Sequence, residues 1–512
     1  MRNIVSTRFS ETSAIAQNAI VMAEGHVAFL NRNTGLDLGG DSTGLTIINP
    51  DGVMATALNY YTVPTWGWED GVGYAQYQVE TMQGLLHLYK GTGNEKFLDL
   101  LLFLLNGYKT KFYNGQPVPP LASIWRANYL INAKDPMVLP GGTAERNQPI
   151  ETIPSASAFP VASGDSTNMG NFTHTDLQFA ELLSMAYELL GVREHQRMYN
   201  SVIFTALDFL SNLKDGNAGV NLPYMPGVVP SYLSWSPRLN RKDSWTGTPN
   251  TAYQYAPMLA AAGRVAEVAN VVELWRDAQN DYQTRTGIDG PFSTVYLWDR
   301  PDRPAGTANT FTMSGTSIDN PQTFFAACRT WQVLVEKNLS VPPDLINLCE
   351  RYATYINDFV NADPNKWVPN SFPSNYSAPT ASTNEAAFAS LYLSGVVCLL
   401  FAGSTLPFLE DLKMNLYRQI DDRYKVLAST HARFYMSGSF TASPGSGIQY
   451  SFWTGVILRA LGLLTQWELR EDPAFIRPIG LARVLLEEDE ESFVRAEDET
   501  GIVLKEESIK EG

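Results

Sequence analysis

The chain has 512 residues, 44% of them apolar and 18% charged, with a formal net charge of −16. This composition excludes a wholly disordered chain, and the length predicts several domains or one large repeat array. The acidic balance argues against a nucleic-acid-binding protein, which needs a basic surface, and against docking on an anionic membrane.

The shortness of the apolar segments and the scattered positions of the cysteines and histidines exclude further classes of protein. The longest apolar stretch, residues 391–403, is too short to span a bilayer, and no apolar region of a secretory leader is expected at the N-terminus. Cys328, Cys349 and Cys398 lack CxxC spacing and are predicted to be buried free thiols. The histidines form no HxH or HExxH pair, and no phosphate-binding or dinucleotide fingerprint stands in a supporting context. We therefore expect neither a metal nor a cofactor.

Residues 1–60 are predicted to form a helix followed by a small β-hairpin. Apolar spacing over residues 11–30 favours the helix. Beyond it, glycines separate short β-type runs, and the Asn-Pro-Asp-Gly sequence at residues 49–52 is a strong hairpin-turn signal. We place this hairpin within residues 26–61, as a decoration on a larger domain.

From residue 74 onward one unit recurs: a polar, aromatic-rich loop, a helix rich in small residues, a break and a second helix. Gly263 and the Pro342-Pro343 pair stand at two of the breaks. The predicted helical pairs cover residues 74–113, 175–213, 249–282, 320–360 and 384–424, and a sixth first helix covers residues 449–468.

This pattern predicts a mainly α fold, an (α/α)6 toroid of six helical hairpins over residues 61–486. A hairpin cannot bury its apolar face alone, so neighbouring hairpins must stack, with inner helices around a central funnel and outer helices around them. The sixth inner helix has no following partner, and the helix over residues 11–30 is the natural candidate. An open superhelical array is the alternative.

The last segment, residues 487–512, forms a separate acidic tail. It holds eleven acidic and three basic residues, a net charge of −8 and half of the total. Such a charge run is typical of a disordered tail. The alternative is that two short apolar runs, at residues 493–494 and 502–504, form strands that pair with a partner.

In a toroid the loops before the inner helices gather at one mouth, and binding residues usually lie on such loops. Here these loops combine aromatic, acidic and amide side chains, as in Trp-Gly-Trp-Glu-Asp at residues 66–70. This composition suits carbohydrate, because sugar rings stack on indoles and sugar hydroxyls bond to carboxylates and amides. The predicted carbohydrate-binding residues are Trp66, Trp68, Trp235, Trp245, Trp298, Trp367 and Trp453.

Glycoside hydrolysis needs two carboxyl groups across the scissile bond, one of them held neutral by its surroundings. The candidate catalytic residues are Glu69 or Asp70 on one wall of the mouth and Asp243, Asp299 or Asp319 on another. The sequence does not pair them.

Structural interpretations of the same residues stay open. Large aromatic residues also fill gaps between inner helices, and Asp319 and Asn320 could simply cap a helix. His174 could instead serve as the base of a polysaccharide lyase, although a lone histidine at a helix start more often belongs to the cap region.

The hairpin series, over roughly residues 60–470, resembles the (α/α)6 toroids of glycoside hydrolases and polysaccharide lyases, without matching a catalytic motif of either. The segment SFVRAEDETGIV at residues 492–503 looks like the R-x-AEDRT-x-V segment of tailed-phage structural proteins, with Glu499 in place of the usual arginine. This second resemblance implies a virion protein that is made in the host cytoplasm.

Together these observations lead to two functional expectations. The first is a virion structural protein of a phage tail or tail tip, whose toroid mouth contacts host surface carbohydrate. Its expected partners are other virion tail proteins, host surface glycan and further copies of itself, with no nucleic acid and no membrane insertion. The alternative is a glycoside hydrolase or polysaccharide lyase that degrades a host surface polysaccharide.

Overall fold

The computed structural model describes residues 14–30, 48, 52, 57–59, 72–111, 128–130, 171–172, 182, 185–186, 234–236, 241–242, 246–247, 252–261, 263–297, 311–313, 319–362, 367–381, 386–428, 448–470, 485–486, 494–497 and 503–504. This part of the chain is mainly helical, as predicted. None of its helices has the length and apolar content to cross a bilayer. Within the same residues, no group of three or more His, Cys, Asp or Glu side chains could hold a metal ion. Cys328, Cys349 and Cys398 are buried free thiols.

The described helices fall into an inner and an outer set. The inner helices are α2 (Ala75–Thr92), α4 (Ala252–Ala261), α6 (Asp319–Glu336), α8 (Ala386–Phe401) and α10 (Ser451–Leu469). The outer helices are α1 (Ala14–Leu30), α3 (Glu95–Lys111), α5 (Val265–Thr286), α7 (Pro343–Asn361) and α9 (Leu409–Ala428). The four hairpins with both helices described lie where the sequence predicts them. Residues 182, 185 and 186, within the second predicted hairpin, are also helical.

Burial distinguishes the two sets. Nearly every residue of α6 and α8 is buried, because these helices have neighbours on all sides. The outer helix α7 buries one stripe, which includes Leu345, Tyr352 and Ile356 and follows the helical repeat, and it exposes the opposite face. The small residues of α8 permit close approach: a Cβ atom on Gly395 would lie 2.4 Å from a ring carbon of Phe324 in α6.

The described inner helices pack side by side in a curved series that brings the first and the last of them into contact. Along this series, α2 packs against α10, α10 against α8, α8 against α6 and α6 against α4. Because the first predicted hairpin contacts the last inner helix, the open superhelical array is ruled out. The number of hairpins in the ring remains a prediction, since most of the second hairpin lies outside the described residues.

Glycines set the contact that closes the ring. A Cβ atom on Gly455 would lie 2.5 Å from backbone atoms of Glu80 and Thr81, and one on Gly462 would lie 2.7 Å from the Leu88 nitrogen. Residue numbers rise together along both helices, so α2 and α10 run parallel. Each outer helix returns the chain along its inner helix. In the first hairpin a short turn joins α2 to α3, and the Gln78 amide near the start of α2 donates to the Leu104 carbonyl in the middle of α3 (2.8 Å). Because each outer helix runs back along the inner helix before it, the inner helices all begin at the same end of the ring.

The N-terminal helix α1 lies beside the last inner helix, in the position predicted for its outer partner. It packs on α10. Asn18 donates to the Tyr417 hydroxyl (2.6 Å) and to Asp421 (2.8 Å) on α9. At the other side, Asn94 between α2 and α3 donates to Glu24 (2.9 Å). Helix α1 therefore bridges the last outer helix, α9, and the turn of the first hairpin.

Short antiparallel strands β1 to β10 join the loops that precede the inner helices, and β11 to β13 follow the last inner helix. They are β1 (Ala57–Asn59), β2 (Val72–Tyr74), β3 (Asn128–Leu130), β4 (Asn171–Phe172), β5 (Ser234–Ser236), β6 (Arg241–Lys242), β7 (Thr246–Gly247), β8 (Val295–Leu297), β9 (Phe311–Thr312), β10 (Ile448–Tyr450), β11 (Leu485–Leu486), β12 (Val494–Glu497) and β13 (Val503–Leu504). The sheets are β1–β10, β2–β3, β4–β5–β6, β7–β8–β9 and β11–β12–β13.

Two β-type predictions can be compared with these sheets. Strand β1, from the predicted N-terminal hairpin region, pairs with β10 just before the last inner helix, with Ala57 opposite Tyr450. Residues 49–51 of the predicted turn lie outside the described part of the chain. In the C-terminal tail, β12 pairs with β11 and with β13 within the chain itself.

Candidate functional site

The end of the ring where the inner helices begin is the mouth, and small sheets connect its loops. Strand β5 pairs with β4, which places Trp235 opposite Asn171. Strand β7, before α4, pairs with β8, before α6, with Thr246 opposite Leu297. Loops that are far apart in sequence are thus tied to their neighbours around the mouth.

Few of the predicted site residues can be placed in full. Asp319 is buried in the first turn of α6, and Trp367 is half-buried in the loop before α8. Trp235 lies on β5 and Trp453 in the first turn of α10, and their side chains are outside the described part. The remaining candidates, which are Trp66, Trp68, Glu69, Asp70, Asp243, Trp245, Trp298 and Asp299, also lie outside the described residues.

Asn320 holds a mouth loop against the start of α6. Its side-chain oxygen accepts from the Phe292 backbone N–H (2.8 Å) and its amide donates to the Phe292 carbonyl (3.0 Å). The Tyr352 hydroxyl donates to the same side-chain oxygen (3.3 Å). Asn320 therefore anchors the loop, a different role from the helix cap that the sequence suggested.

A second anchor, the rim cluster, consists of Asp281, Arg285, Ser293 and Tyr376. Asp281 accepts hydrogen bonds from Ser293 (2.6 Å) and from the Tyr376 hydroxyl (3.4 Å), and it forms an ion pair with Arg285 (2.9 Å). The Arg285 guanidinium lies 4.9 Å from the Tyr376 ring centroid. Burial raises the pKa of Tyr376, so its hydroxyl keeps the proton that it donates. The cluster ties the loop before α8 to the end of α5.

Below the mouth, a buried ion pair lies between α2 and α10. The Arg459 guanidinium binds the Glu80 carboxylate and donates to Gln83 (3.4 Å). It also lies 4.0 Å from the centroid of the Phe325 ring on α6. Because α8 separates α10 from α6 along the ring, the contact between Arg459 and Phe325 crosses the ring interior. Side chains from three inner helices therefore form a floor beneath the mouth.

A second polar layer lies one to two turns farther from the mouth. The amide of Gln466 donates to Nδ1 of His87 (3.0 Å), and Arg329 of α6 contacts the Met185 sulfur (3.6 Å). Burial, followed by the charges of Arg329, Lys90 and Arg459, holds the pKa of His87 well below its usual value. His87 is therefore neutral at pH 7, and because Nδ1 accepts a hydrogen bond, the ring proton is on Nε2.

The sequence interpretation missed both the floor and the rim cluster. Arg459 is a single charge within the apolar run of α10, and Glu80 is the one charge in the buried part of α2, whose other charge, Lys90, is exposed near its end. A charge in such surroundings predicts a buried partner, but not which one. Asp281 and Tyr376 are 95 residues apart, and nothing in the local pattern relates them.

This geometry limits which groups could act chemically. Glu80 is buried and bound to Arg459, so it cannot reach a ligand at the mouth. Asp281 is engaged by three side chains of the rim cluster. Of the candidate acids that the sequence singles out, only Asp319 lies within the described residues.

Comparison with known structures supports the toroid. The chain is similar to a sugar epimerase from a ruminal bacterium, with 11% identity and a TM-score of 0.54, covering 88% of this chain and 98% of that one. It is similar to an unsaturated glucuronyl hydrolase from Bacillus sp. GL1, described as responsible for degradation of glycosaminoglycan, with 12% identity, a TM-score of 0.51 and coverage of 90% and 97%. A family 76 glycoside hydrolase from a bovine Bacteroides thetaiotaomicron strain shares 10% identity, a TM-score of 0.50 and coverage of 89% and 78%.

These similarities show the fold, an (α/α) toroid, and at such low identity they do not carry an activity. No protein-family model and no curated protein sequence matches the chain.

Proposed function

We propose that this protein is a glycoside hydrolase, or a polysaccharide lyase, whose toroid mouth binds and cleaves a surface polysaccharide. The observation that carries the proposal is the closed ring with its parallel first and last inner helices. The loops that carry the predicted tryptophans and carboxylates precede the inner helices in sequence, and in this proposal they lie together at the end of the molecule where those helices begin. The similar solved structures include two hydrolases and an epimerase that act on sugars, which agrees with a carbohydrate ligand at such a mouth.

In this proposal the ring has six hairpins, and the catalytic pair consists of Glu69 or Asp70 with Asp243, Asp299 or Asp319. The glycan is bound by Trp66, Trp68, Trp235, Trp245, Trp298, Trp367 and Trp453. Asn320 and the rim cluster hold the loops in place while the floor closes the lower end of the binding space. The reaction needs no metal and no cofactor.

The test is release of reducing ends from bacterial capsule and lipopolysaccharide preparations. We expect Asp70→Asn and Asp243→Asn to lower the rate at least about a hundredfold, because general acid–base catalysis contributes about 10²–10⁴. Trp68→Ala should raise KM more than it lowers kcat. Leu102→Ala, at an exposed position of the outer helix α3, is the control. If no preparation is cleaved, or if both asparagine variants keep the wild-type rate, the catalytic proposal is wrong.

A second candidate function concerns the C-terminal tail and is favoured by the AEDET segment. We propose that residues 487–512 dock on a neighbouring protein of a phage tail. The protein would then be made in the host cytoplasm, reside as a homo-oligomer in the virion and contact host surface glycan. The antiparallel pairing of β12 with β13 is consistent with such a docking segment. Deleting residues 487–512 should abolish incorporation into virions, and unchanged incorporation would exclude this role.

A further inference from the structure

A groove of about 640 Å³ runs along the outer wall of the toroid, over the exposed side of α7. One wall is formed by Ile288 and Asp289, which follow α5, and the other by Leu406, which precedes α9. The floor consists of α7 residues spaced three or four apart, from Asn347 to Phe359, which share one helix face. At 1.5 Å per residue this face is about 18 Å long, which suits an oligosaccharide rather than a single sugar.

Aromatic rings form the apolar part of the groove near the mouth end of α7. The ring centroids of Tyr355 and Phe359 lie 5.9 Å apart. The Tyr355 hydroxyl oxygen is buried, so Tyr355 lines the groove with its ring and not with its hydroxyl group. A ligand with apolar C–H faces can pack against these rings.

The polar part of the groove carries an excess of negative charge. Its carboxylates are Asp289, Glu350 and Asp358, and its one cation among the lining residues is Arg351. Arg351 is already engaged, because it donates to Asp289 (2.7 Å) and to Gln283 on α5 (3.1 Å).

This charge balance selects against anions. A uronate or sulfate group in the groove would meet an excess of two negative charges among the described lining residues, whose one cation is already paired. Hydroxyl groups, in contrast, can donate to the exposed Asp358 carboxylate and exchange bonds with the exposed amide of Asn347.

We propose that the α7 groove is a second carbohydrate-binding site, separate from the mouth, that takes a neutral polysaccharide. This proposal rests on the proposed function only in that both sites bind carbohydrate. A polymer bound along the outer wall would be kept near the mouth, because α7 runs toward the mouth and the Phe359 end of the groove is close to its C-terminus.

The experiment is native electrophoresis of the full chain in gels that contain yeast mannan, dextran or glucomannan, with chondroitin sulfate and alginate as acidic polymers. We expect at least one neutral polymer to retard the wild type and the acidic polymers not to do so. Phe359→Ala should weaken this binding about two- to tenfold, because an aromatic contact contributes about 0.5–1.5 kcal/mol. Asp358→Ala, at an exposed position that leaves the core intact, should also weaken it, and Leu102→Ala should not.

The mouth variant Trp68→Ala separates this proposal from the proposed function. We expect Trp68→Ala to keep the retardation by the neutral polymer, and Phe359→Ala and Asp358→Ala to keep the rate of hydrolysis of short soluble fragments. The groove proposal is overturned if no neutral polymer retards the wild type, if acidic polymers retard it more, or if Trp68→Ala alone abolishes retardation. Retardation that depends on Phe359 without any hydrolysis would support the groove and count against the catalytic proposal.

Discussion

At the scale of single residues, the most informative side chains are charges inside the ring. Glu80 and Arg459 are at most 2% exposed at their side chains. Taking two charges out of water costs several kcal/mol each, and their attraction recovers this cost only when both are present and well bonded. The pair therefore favours the alignment of α2 and α10 in which the two charges meet.

Removing one partner of this pair should be more harmful than removing both. We expect Arg459→Met to lower the free energy of unfolding by about 3–5 kcal/mol, because it leaves the Glu80 carboxylate buried and unpaired. Adding Glu80→Met should recover part of that loss. Denaturant unfolding measures both, and the exposed pair Arg264–Glu267 supplies the control, since Arg264→Ala should cost less than about 1 kcal/mol. Additive losses in the double variant would contradict this account.

His87 should make stability depend on pH. Its pKa in the folded state lies well below 6.5, because burial and the neighbouring cations oppose the proton. As pH falls below about 6.5, the unfolded chain takes up a proton on this residue that the folded chain does not, so stability falls, by at most about 1.4 kcal/mol per pH unit.

The measurement is the free energy of unfolding of the wild type and His87→Gln between pH 7.5 and 5.5. The wild type should lose more stability than the variant over this interval. If the free energy of unfolding changes with pH equally in both proteins, His87 does not contribute to the pH dependence of stability.

At the scale of secondary-structure elements, the glycines of α2 and α10 decide how closely the ring closes. Alanine in place of glycine inside a helix normally stabilises it by about 1 kcal/mol. In α10 the sign should reverse, because the added methyl group at Gly455 would collide with the backbone of α2.

We expect Gly455→Ala to lower the free energy of unfolding by about 1–3 kcal/mol. The control compares Glu273→Gly with Glu273→Ala, at an exposed position in the middle of α5. Their difference in free energy of unfolding gives the ordinary preference of a helix for alanine over glycine in the same protein. If Gly455→Ala stabilises the chain as that comparison would suggest, the close contact between α2 and α10 is not essential.

At the scale of the whole molecule, the two ends of the chain should differ in their importance for folding. Helix α1 buries Ala19, Met22 and Ala23 in the main core and bonds to α9. The tail carries half of the net charge, yet the strands described there pair among themselves.

Deletion of residues 1–30 should therefore lower the unfolding temperature sharply or prevent folding, because it uncovers one side of α10. Deletion of residues 487–512 should leave the unfolding temperature within a few degrees of the full chain. Thermal unfolding followed by circular dichroism compares the two. Equal effects of the two deletions would contradict the assignment of α1 to the wall of the ring.

The sequence by itself determined the helices and breaks of the four hairpins that the structure describes in full, because the apolar repeat and the glycine or proline near each break are local signals. It also predicted the role of α1, because an inner helix with an unmatched apolar face needs a partner. The carbohydrate ligand inferred from the composition of the loops stays a prediction.

Only the tertiary structure decided that the ring closes, through glycine contacts between helices more than 350 residues apart, as the 379 residues between Arg459 and Glu80 show. The same holds for the partner of the buried arginine, the anchoring role of Asn320, the rim cluster and the groove on α7. Each of these depends on which helix faces meet across the ring, and a sequence pattern records the face of a helix but not the neighbour that covers it.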